Sequence, residues 1–436
     1  MPHQAIAAYP FLPASELAVV YRQQAEELSK DVNNLLPPWA RPEASQLFRK
    51  RKLIICGSVC SPEIRVLAKY ADVFGIVDDF NFGRKMFGIP VVNSDTWIRW
   101  AKKDKSIVSC VLTPKSNGYR YFVRQCIQWE LPYLSPLHVL HLIRTHGIST
   151  IGELGGFFWY GYDFFDYAVK NQEKLSKLAS HLEDEFSRFS WFSMLMYRLT
   201  FNPFYRESCA VGRHEDYYGL DSYAVCRQFM KFSDQEIYTD AGAFTGDTIE
   251  GFLRAVSGKF KHIYSFEPSA ANNRQIRSRL QKLQSLYLDS FGKKISLIEK
   301  GLWDSDTVLR FNAAEAGDIQ AASAYVVESK ILENIYDPNV EKKVVTEIPV
   351  TTIDNATNQD STFIKFEIEG SELQALHGSA KTIEHNRPQM AVSIYHKPDD
   401  YVTLTEFVLD TRLDYKMGFR HHNTCDPAAT VLYCHH

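Results

Sequence analysis

The chain has 436 residues, 45% hydrophobic and 23% charged, and its 49 Lys and Arg against 52 Asp and Glu leave a net charge of -3. That length exceeds one ordinary core and predicts two or three domains. The near-neutral balance excludes the basic surplus on which nucleic-acid binding depends, and no apolar run approaches the ~20 residues of a bilayer span, so neither nucleic acid nor membrane is an expected partner.

The start, MPHQAIAAYPFLPASE, lacks the basic region and long apolar core of a secretory signal. With 8 scattered cysteines that read as reduced thiols, it predicts a cytoplasmic protein. From Ala14 to Leu36 apolar residues recur at helical spacing (Leu17, Val20, Ala25, Leu28, Val32, Leu35), and PPWARPEA then breaks the pattern. Residues 1–47 are therefore an N-terminal helix and linker.

Residues 48–140 change character. KLIICGSVC is an apolar strand and a small-residue turn, a helix follows, and a second strand ends at Asp78 and Asp79 before GIPVV. Strand, helix and strand in that order predict a parallel, Rossmann-like sheet, extended by SIVSCVLT and a helix through Arg124–Trp129. Cys56 and Cys60 lie close together in CGSVC, but no second cluster or nearby His completes a zinc set. Residues 141–232 form a helical connecting segment crowded with aromatics, in FFWYGYDFFDYAV and LEDEFSRFSWFSMLMYRL, a crowding that reads as packing. Residues 233–436 return to alternating strand and helix signals.

In this last segment IYTDAGAFTGDT places Asp240 at a strand end, a glycine-rich turn after it, and the start of a helix beyond. Such a turn makes a nucleotide crevice, because glycines admit a ligand to the backbone and the helix start offers unpaired N–H groups. G-A-F-T-G does not meet the G-x-G-x-x-G spacing, and a carboxylate directly before the turn repels a pyrophosphate. S-adenosylmethionine carries an ammonium and a sulfonium and no phosphate, so the acid attracts it. Glu267, in HIYSFEPSAANN, ends the next strand at about the 20-residue separation, or somewhat more, where such folds place an acid for ribose hydroxyls.

DAGAFTGDT, FEPSAANN, VTTIDNA, IKFEIEGSELQALHGSAKTI and SIYHKP, in that order, resemble the FkbM family of S-adenosylmethionine-dependent methyltransferases over about residues 220–436. The resemblance implies a class I methyltransferase fold, cofactor at the C-terminal ends of a mostly parallel sheet, and commonly an O-methyl product. It implies a cofactor site of Asp240, Gly242, Ala243, Gly246, Asp247, Thr248, Glu267, Pro268, Ser269 and Gly301. Glu367 stands where the family usually has Asp and reaches one methylene further. Residues 50–95 weakly resemble the nucleotide-sugar-binding domains that precede sugar acyltransferases, which implies either a sugar-related acceptor or a docking surface.

Methyl transfer to a hydroxyl needs the acceptor placed and its proton removed. His396, after the apolar strand QMAVSIY, is the first candidate for the base, with an intrinsic pKa near 6.5. Glu367 and Glu369 follow TFIKF and are expected to orient the acceptor, to neutralise the sulfonium or, with His396, to hold a divalent cation, in that order. Tyr223, His421 and His422 are candidates for the acceptor pocket, with Tyr217 and Tyr218 near its mouth, whereas His435 and His436 end the chain and are expected to fray. Three alternatives stand beside O-methyl transfer to a small molecule, sugar or natural-product precursor: N-methylation, a binding protein without turnover, and a nicotinamide-dependent oxidoreductase, which the missing G-x-G-x-x-G disfavours. A homo-oligomer is left open.

Overall fold

The structure, a computed structural model, describes residues 12–57, 61–113, 116–146, 161–211, 226–284, 293–313, 344–411, 413–424 and 427–436. The chain divides into two compact units: Met1–Ser180 with Glu185–Ala210 and Asn423–Pro427, and His181–Asp184 with Val211–His422 and Ala428–His436. The N-terminal helix, the first sheet and the aromatic-rich helices thus share one unit.

In the first unit β1 (Lys52–Cys56), β2 (Asp72–Val77), β3 (Lys85–Met86), β4 (Ile89–Val92), β5 (Ile107–Val111) and β6 (Tyr133–Leu134) form a six-stranded sheet in the order β3-β4-β2-β1-β5-β6. All pairs are parallel except β3 with β4. The helix Ala14–Lys30 buries Leu17, Tyr21 and Ala25 and stops at Lys30, short of the reading to Leu36, because Asp31 turns extended and its side chain accepts from the Asn33 N–H. The Tyr21 hydroxyl donates to the Ala168 carbonyl at 2.7 Å, and the helix Glu185–Thr200 buries Trp191, Phe192 and Tyr197. These aromatics are packing, as their density suggests. Asp78 and Asp79 cap the local backbone: Asp78 accepts from the N–H groups of Phe80 and Asn81, and Asp79 from Ser94. Cys56, Cys110, Cys126, Cys209, Cys226 and Cys434 are free thiols, and Cys60 lies outside the described residues.

In the second unit β7 (Ile237–Ala241), β8 (His262–Phe266) and β9 (Ile295–Ile298) precede a small sheet of β10 (Gly301–Leu302), β11 (Thr307–Ala313) and β12 (Val344–Thr351). The main sheet then continues with β13 (Phe363–Phe366), β14 (Gln389–Ser393), β15 (Lys416–His421) and β16 (Thr430–His435), in the order β15-β16-β14-β13-β7-β8-β9. Strands β9, β8, β7, β13 and β14 run parallel, while β16 is antiparallel to both neighbours. The chain winds outward from β7 to β9 and returns on the other side at β13, so the order reverses between β7 and β13. Ligands of open α/β sheets bind outside the strand ends at that reversal.

Tyr238, Phe252 and Phe363 stack beneath it, with the Tyr238 and Phe363 rings 4.9 Å apart. Each fully buried aromatic of this kind contributes about 1.5–3 kcal/mol of transfer free energy. This core fixes the ends of β7 and β13 against each other and positions the site above them. Among the described residues no helix is long and apolar enough to cross a membrane.

Candidate active site

Asp240 is the penultimate residue of β7 and is fully buried. Its carboxylate accepts from Thr248 Oγ1 at 2.6 Å and from Lys365 Nζ at 3.1 Å. Lys365 lies directly opposite on β13 and also donates to the carbonyls of Ala241 at 3.2 Å and Gly242 at 2.5 Å. One buried ammonium therefore neutralises the strand-end acid and ties down the turn after it. Gly242 has φ +84°, and a Cβ there would sit 1.9 Å from the Glu367 carbonyl oxygen, so only glycine fits where β7 meets β13. Gly246, with φ +81°, caps the helix Asp247–Ala255. Ala243 is buried, and burial raises the pKa of Asp247 at the helix start.

Glu267 follows β8 and is 6% exposed. Its two oxygens accept from the N–H groups of Phe244 at 3.0 Å and Ser269 at 2.8 Å, across Pro268. Burial raises its pKa, and these hydrogen bonds oppose the rise. The acid thus binds the turn after β7 to the turn after β8. Gly301 opens β10, with Val350 packed against it.

Beyond β13 the chain carries Glu367, Glu369 and Glu372, and beyond β14 it carries His396 and Asp400. Glu367, with its extra methylene, accepts from Ser393 Oγ and Tyr395 Oη. His396 Nδ1 faces Glu372 Oε1 at 3.0 Å, and its Nε2 lies 3.6 Å from both Glu367 Oε1 and Glu369 Oε2. Burial opposes charge on this imidazole, but the carboxylates of Glu372, Glu369 and Glu367 outweigh it and raise its pKa to about 10. The ring therefore carries its proton at neutral pH, above the near-6.5 value expected for a free imidazole. Glu369, with φ +55° and a side chain 44% exposed, is the outward member of this group, and its partial enclosure, with the carboxylates of Glu367 and Glu372 nearby, lifts its pKa to about 7. A non-glycine residue held at positive φ stores strain of the kind that clusters at functional sites.

The structure thus gathers Asp240, Gly242, Gly246, Thr248, Glu267, Glu367, Glu369 and His396 at one edge of one sheet. His421 ends β15 and His422 follows it, in the β15–β16 hairpin, with β16 between β15 and β14. His421 Nδ1 bonds Thr430 Oγ1 at 3.0 Å, His422 Nε2 bonds Tyr433 Oη at 2.6 Å, and burial lowers the pKa of His422 to about 3. Both are buried and hydrogen-bonded within the hairpin. His435 is also ordered, as the last residue of β16, with Nε2 2.7 Å from Glu183 Oε1. Tyr217, Tyr218 and Tyr223 lie outside the described residues.

Sequence reading missed Lys365, Glu372 and Asp400. For Lys365 a signal exists, since a lysine inside the apolar strand FIKF has to be paired once buried.

Residues 240–420 match the family model described as Methyltransferase FkbM domain. The fold is similar to the crystal structure of a methyltransferase FkbM from Methylobacillus flagellatus, at 23% identity and a TM-score of 0.74, over 97% of this chain and 100% of that one. More distant likenesses include a putative rRNA methylase from Clostridium thermocellum, at 11% identity and a TM-score of 0.30 over 49% of this chain and 91% of that one. Another is Aeropyrum pernix fibrillarin with bound S-adenosylmethionine, at 11% identity and a TM-score of 0.27 over 49% of this chain and 73% of that one. No curated protein matches the chain by sequence. Residues 240–420 are a methyltransferase FkbM domain on a class I methyltransferase sheet.

Proposed function

We propose that the protein methylates a hydroxyl oxygen of a small molecule, sugar or natural-product precursor, with S-adenosylmethionine as donor. The observation that carries this reading is the convergence of Glu267 after β8 and Glu367 with Glu369 after β13, on the strands flanking β7, around a turn that only glycine fits and that Lys365, paired with Asp240, ties down. The donor set suits the cofactor: an acidic edge favours a cation without phosphate, and each Glu267 oxygen keeps a lone pair for a ribose hydroxyl beyond its one backbone bond. Asp240, Gly242, Ala243, Gly246, Asp247 and Thr248 would hold the methionine end, with Glu267, Pro268 and Ser269 at the ribose and adenine and Gly301 at the margin.

When bound, the cofactor would supply a methyl carbon activated by its sulfonium, and transfer to a hydroxyl oxygen would leave a neutral thioether and one acceptor proton for the protein to remove. The protein's task is then to hold the acceptor oxygen about 3–3.5 Å from that carbon. Glu369, outward-facing at the strand end, takes the proton, and His396 Nε2 beside it steadies the carboxylate. Glu367, held by Ser393 and Tyr395, lines the same end. This moves the base from His396 to its neighbour, because His396 is enclosed by carboxylates and Glu369 is not.

Incubation with methyl-labelled cofactor and pooled metabolites, followed by identification of the labelled product, tests the reading. A methyl ether is expected. A methylated amine would replace the oxygen assignment, and labelling of nucleic acid would overturn the acceptor class.

A further inference from the structure

We infer that a divalent transition-metal ion, Mn²⁺ or Zn²⁺, binds between Glu372, His396 and Asp400, on the inner side of the acceptor end. The inference rests on the site proposed above and adds a ligand set to it. One ligand atom from each of the three residues lies within 4.8 Å of the others. They come from separate elements: Glu372 opens the helix Glu372–His377, Asp400 opens the helix Asp400–Asp410, and His396 stands in the connection after β14.

The independent observation is an orphaned oxygen. The Glu372 side chain is 1% exposed, and its Oε1 accepts from the Ile368 N–H at 2.9 Å and faces His396 Nδ1. Its Oε2 is buried with no hydrogen-bond partner. An unsatisfied buried polar atom costs about 1–3 kcal/mol, and more when charged. Asp400 is 3% exposed, and its Oδ2 accepts from the Lys397 N–H at 2.7 Å. Among the described residues no Lys or Arg forms an ion pair with Glu372 or Asp400, whereas the equally buried Asp240 has Lys365. Two buried carboxylates thus share one imidazole, and a dication would balance them.

The donor types select the ion. One imidazole nitrogen with two carboxylates suits Mn²⁺ or Zn²⁺ better than Ca²⁺, which takes all-oxygen shells. The 3.0 Å from Nδ1 to Glu372 Oε1 is also the spacing of adjacent ligands about 2.1 Å from an octahedral ion. An ion there would take the place of the proton between these two atoms and fix the ring, with Nε2 turned to Glu367 and Glu369. Glu372 and Asp400 are then positioning residues.

The test is titration of chelator-treated full-length protein with Mn²⁺, followed by calorimetry and by the loss of the free-ion electron paramagnetic signal, with Zn²⁺ in competition. One ion per chain is expected, with affinity at least tenfold weaker in Glu372→Gln and in Asp400→Asn. Should either variant fail to fold by circular dichroism, the wild type alone decides: the ion must raise its melting temperature, and Co²⁺ must give a visible spectrum showing nitrogen ligation. No binding of Mn²⁺ or Zn²⁺ at millimolar concentration, or undiminished binding in a folded Glu372→Gln, overturns the inference. S-adenosylhomocysteine titrated into the same samples separates the two readings. A protein that binds it but takes up no Mn²⁺ or Zn²⁺ overturns this inference alone, and one that takes up the ion but does not bind it overturns the cofactor reading alone.

Discussion

Lys365 Nζ lies 3.1 Å from Asp240 Oδ1, with side chains 1% and 0% exposed, at directly paired positions of β13 and β7. The pair sits where the sheet reverses its order, and its ammonium also holds the two carbonyls that open the cofactor turn. Removing one member of a buried pair leaves the other uncompensated and costs about 3–5 kcal/mol. Lys365→Met should therefore lose stability on that scale and bind S-adenosylhomocysteine more weakly, whereas Lys365→Met with Asp240→Asn should recover much of the stability and little of the affinity. Urea unfolding and calorimetry on the two proteins check this, and unchanged stability in the single variant would show that the pair is not buried as described.

Gly242→Ala should be harsher than Gly246→Ala. Both glycines have positive φ, but a Cβ at Gly242 meets backbone at 1.9 Å, while at Gly246 nothing lies closer than 3.5 Å. Strain at positive φ alone costs of the order of 1 kcal/mol, and the added clash must separate β7 from β13. S-adenosylhomocysteine affinity, measured side by side, should fall further in Gly242→Ala; equal loss would mean that the close approach to Glu367 does not matter.

His422 gives a pH dependence with a defined sign. Buried beside Tyr433, it stays neutral in the folded protein down to about pH 3, whereas the unfolded chain takes up its proton near pH 6.5. Between those values the unfolded state binds more protons, so stability falls as pH drops from about 6.5 towards 3. His422→Gln keeps a hydrogen-bonding group for Tyr433 and removes the titration, so its melting temperature should fall less steeply across that window. Parallel curves for wild type and variant would rule His422 out as the source.

The proton-transfer assignment separates two neighbours. Glu369→Gln should lower kcat by about 10²–10⁴-fold with little change in cofactor affinity, as expected for loss of a general base. His396→Asn, which leaves Glu369 in place but removes its partner 3.6 Å away, should lower kcat less. Once an acceptor is in hand, steady-state rates decide, and a larger loss in His396→Asn would return the base to the histidine.

Much of this was legible from residues alone. The strand-end acids Asp240 and Glu267 and the glycine turn announce themselves because strand, turn and helix periodicities switch within a dozen residues and the carboxylates fall at the switch. The aromatic helices were readable as packing. What was not readable depends on partners distant in sequence. Asp240 reads as a free attractor for a cation until Lys365, 125 residues away, is seen beside it. His396 reads as a near-neutral base until Glu372 and its neighbours are folded around it. The ring's charge follows from that enclosure and from nothing local. The burial of His421 and His422 was not readable either, because a polar turn and the buried end of a hairpin look alike where histidine, which serves both, is the residue in question.

Calorimetric titration of wild type and Glu267→Ala with S-adenosylhomocysteine reads the cofactor site itself. One site per chain is expected, with binding weakened at least tenfold in Glu267→Ala because the acid both receives the ribose and ties the turn at Phe244 to that at Ser269. A melting-temperature control distinguishes loss of the site from loss of the fold. Equal affinity in wild type and variant, or binding of NAD in place of S-adenosylhomocysteine, would contradict the cofactor assignment.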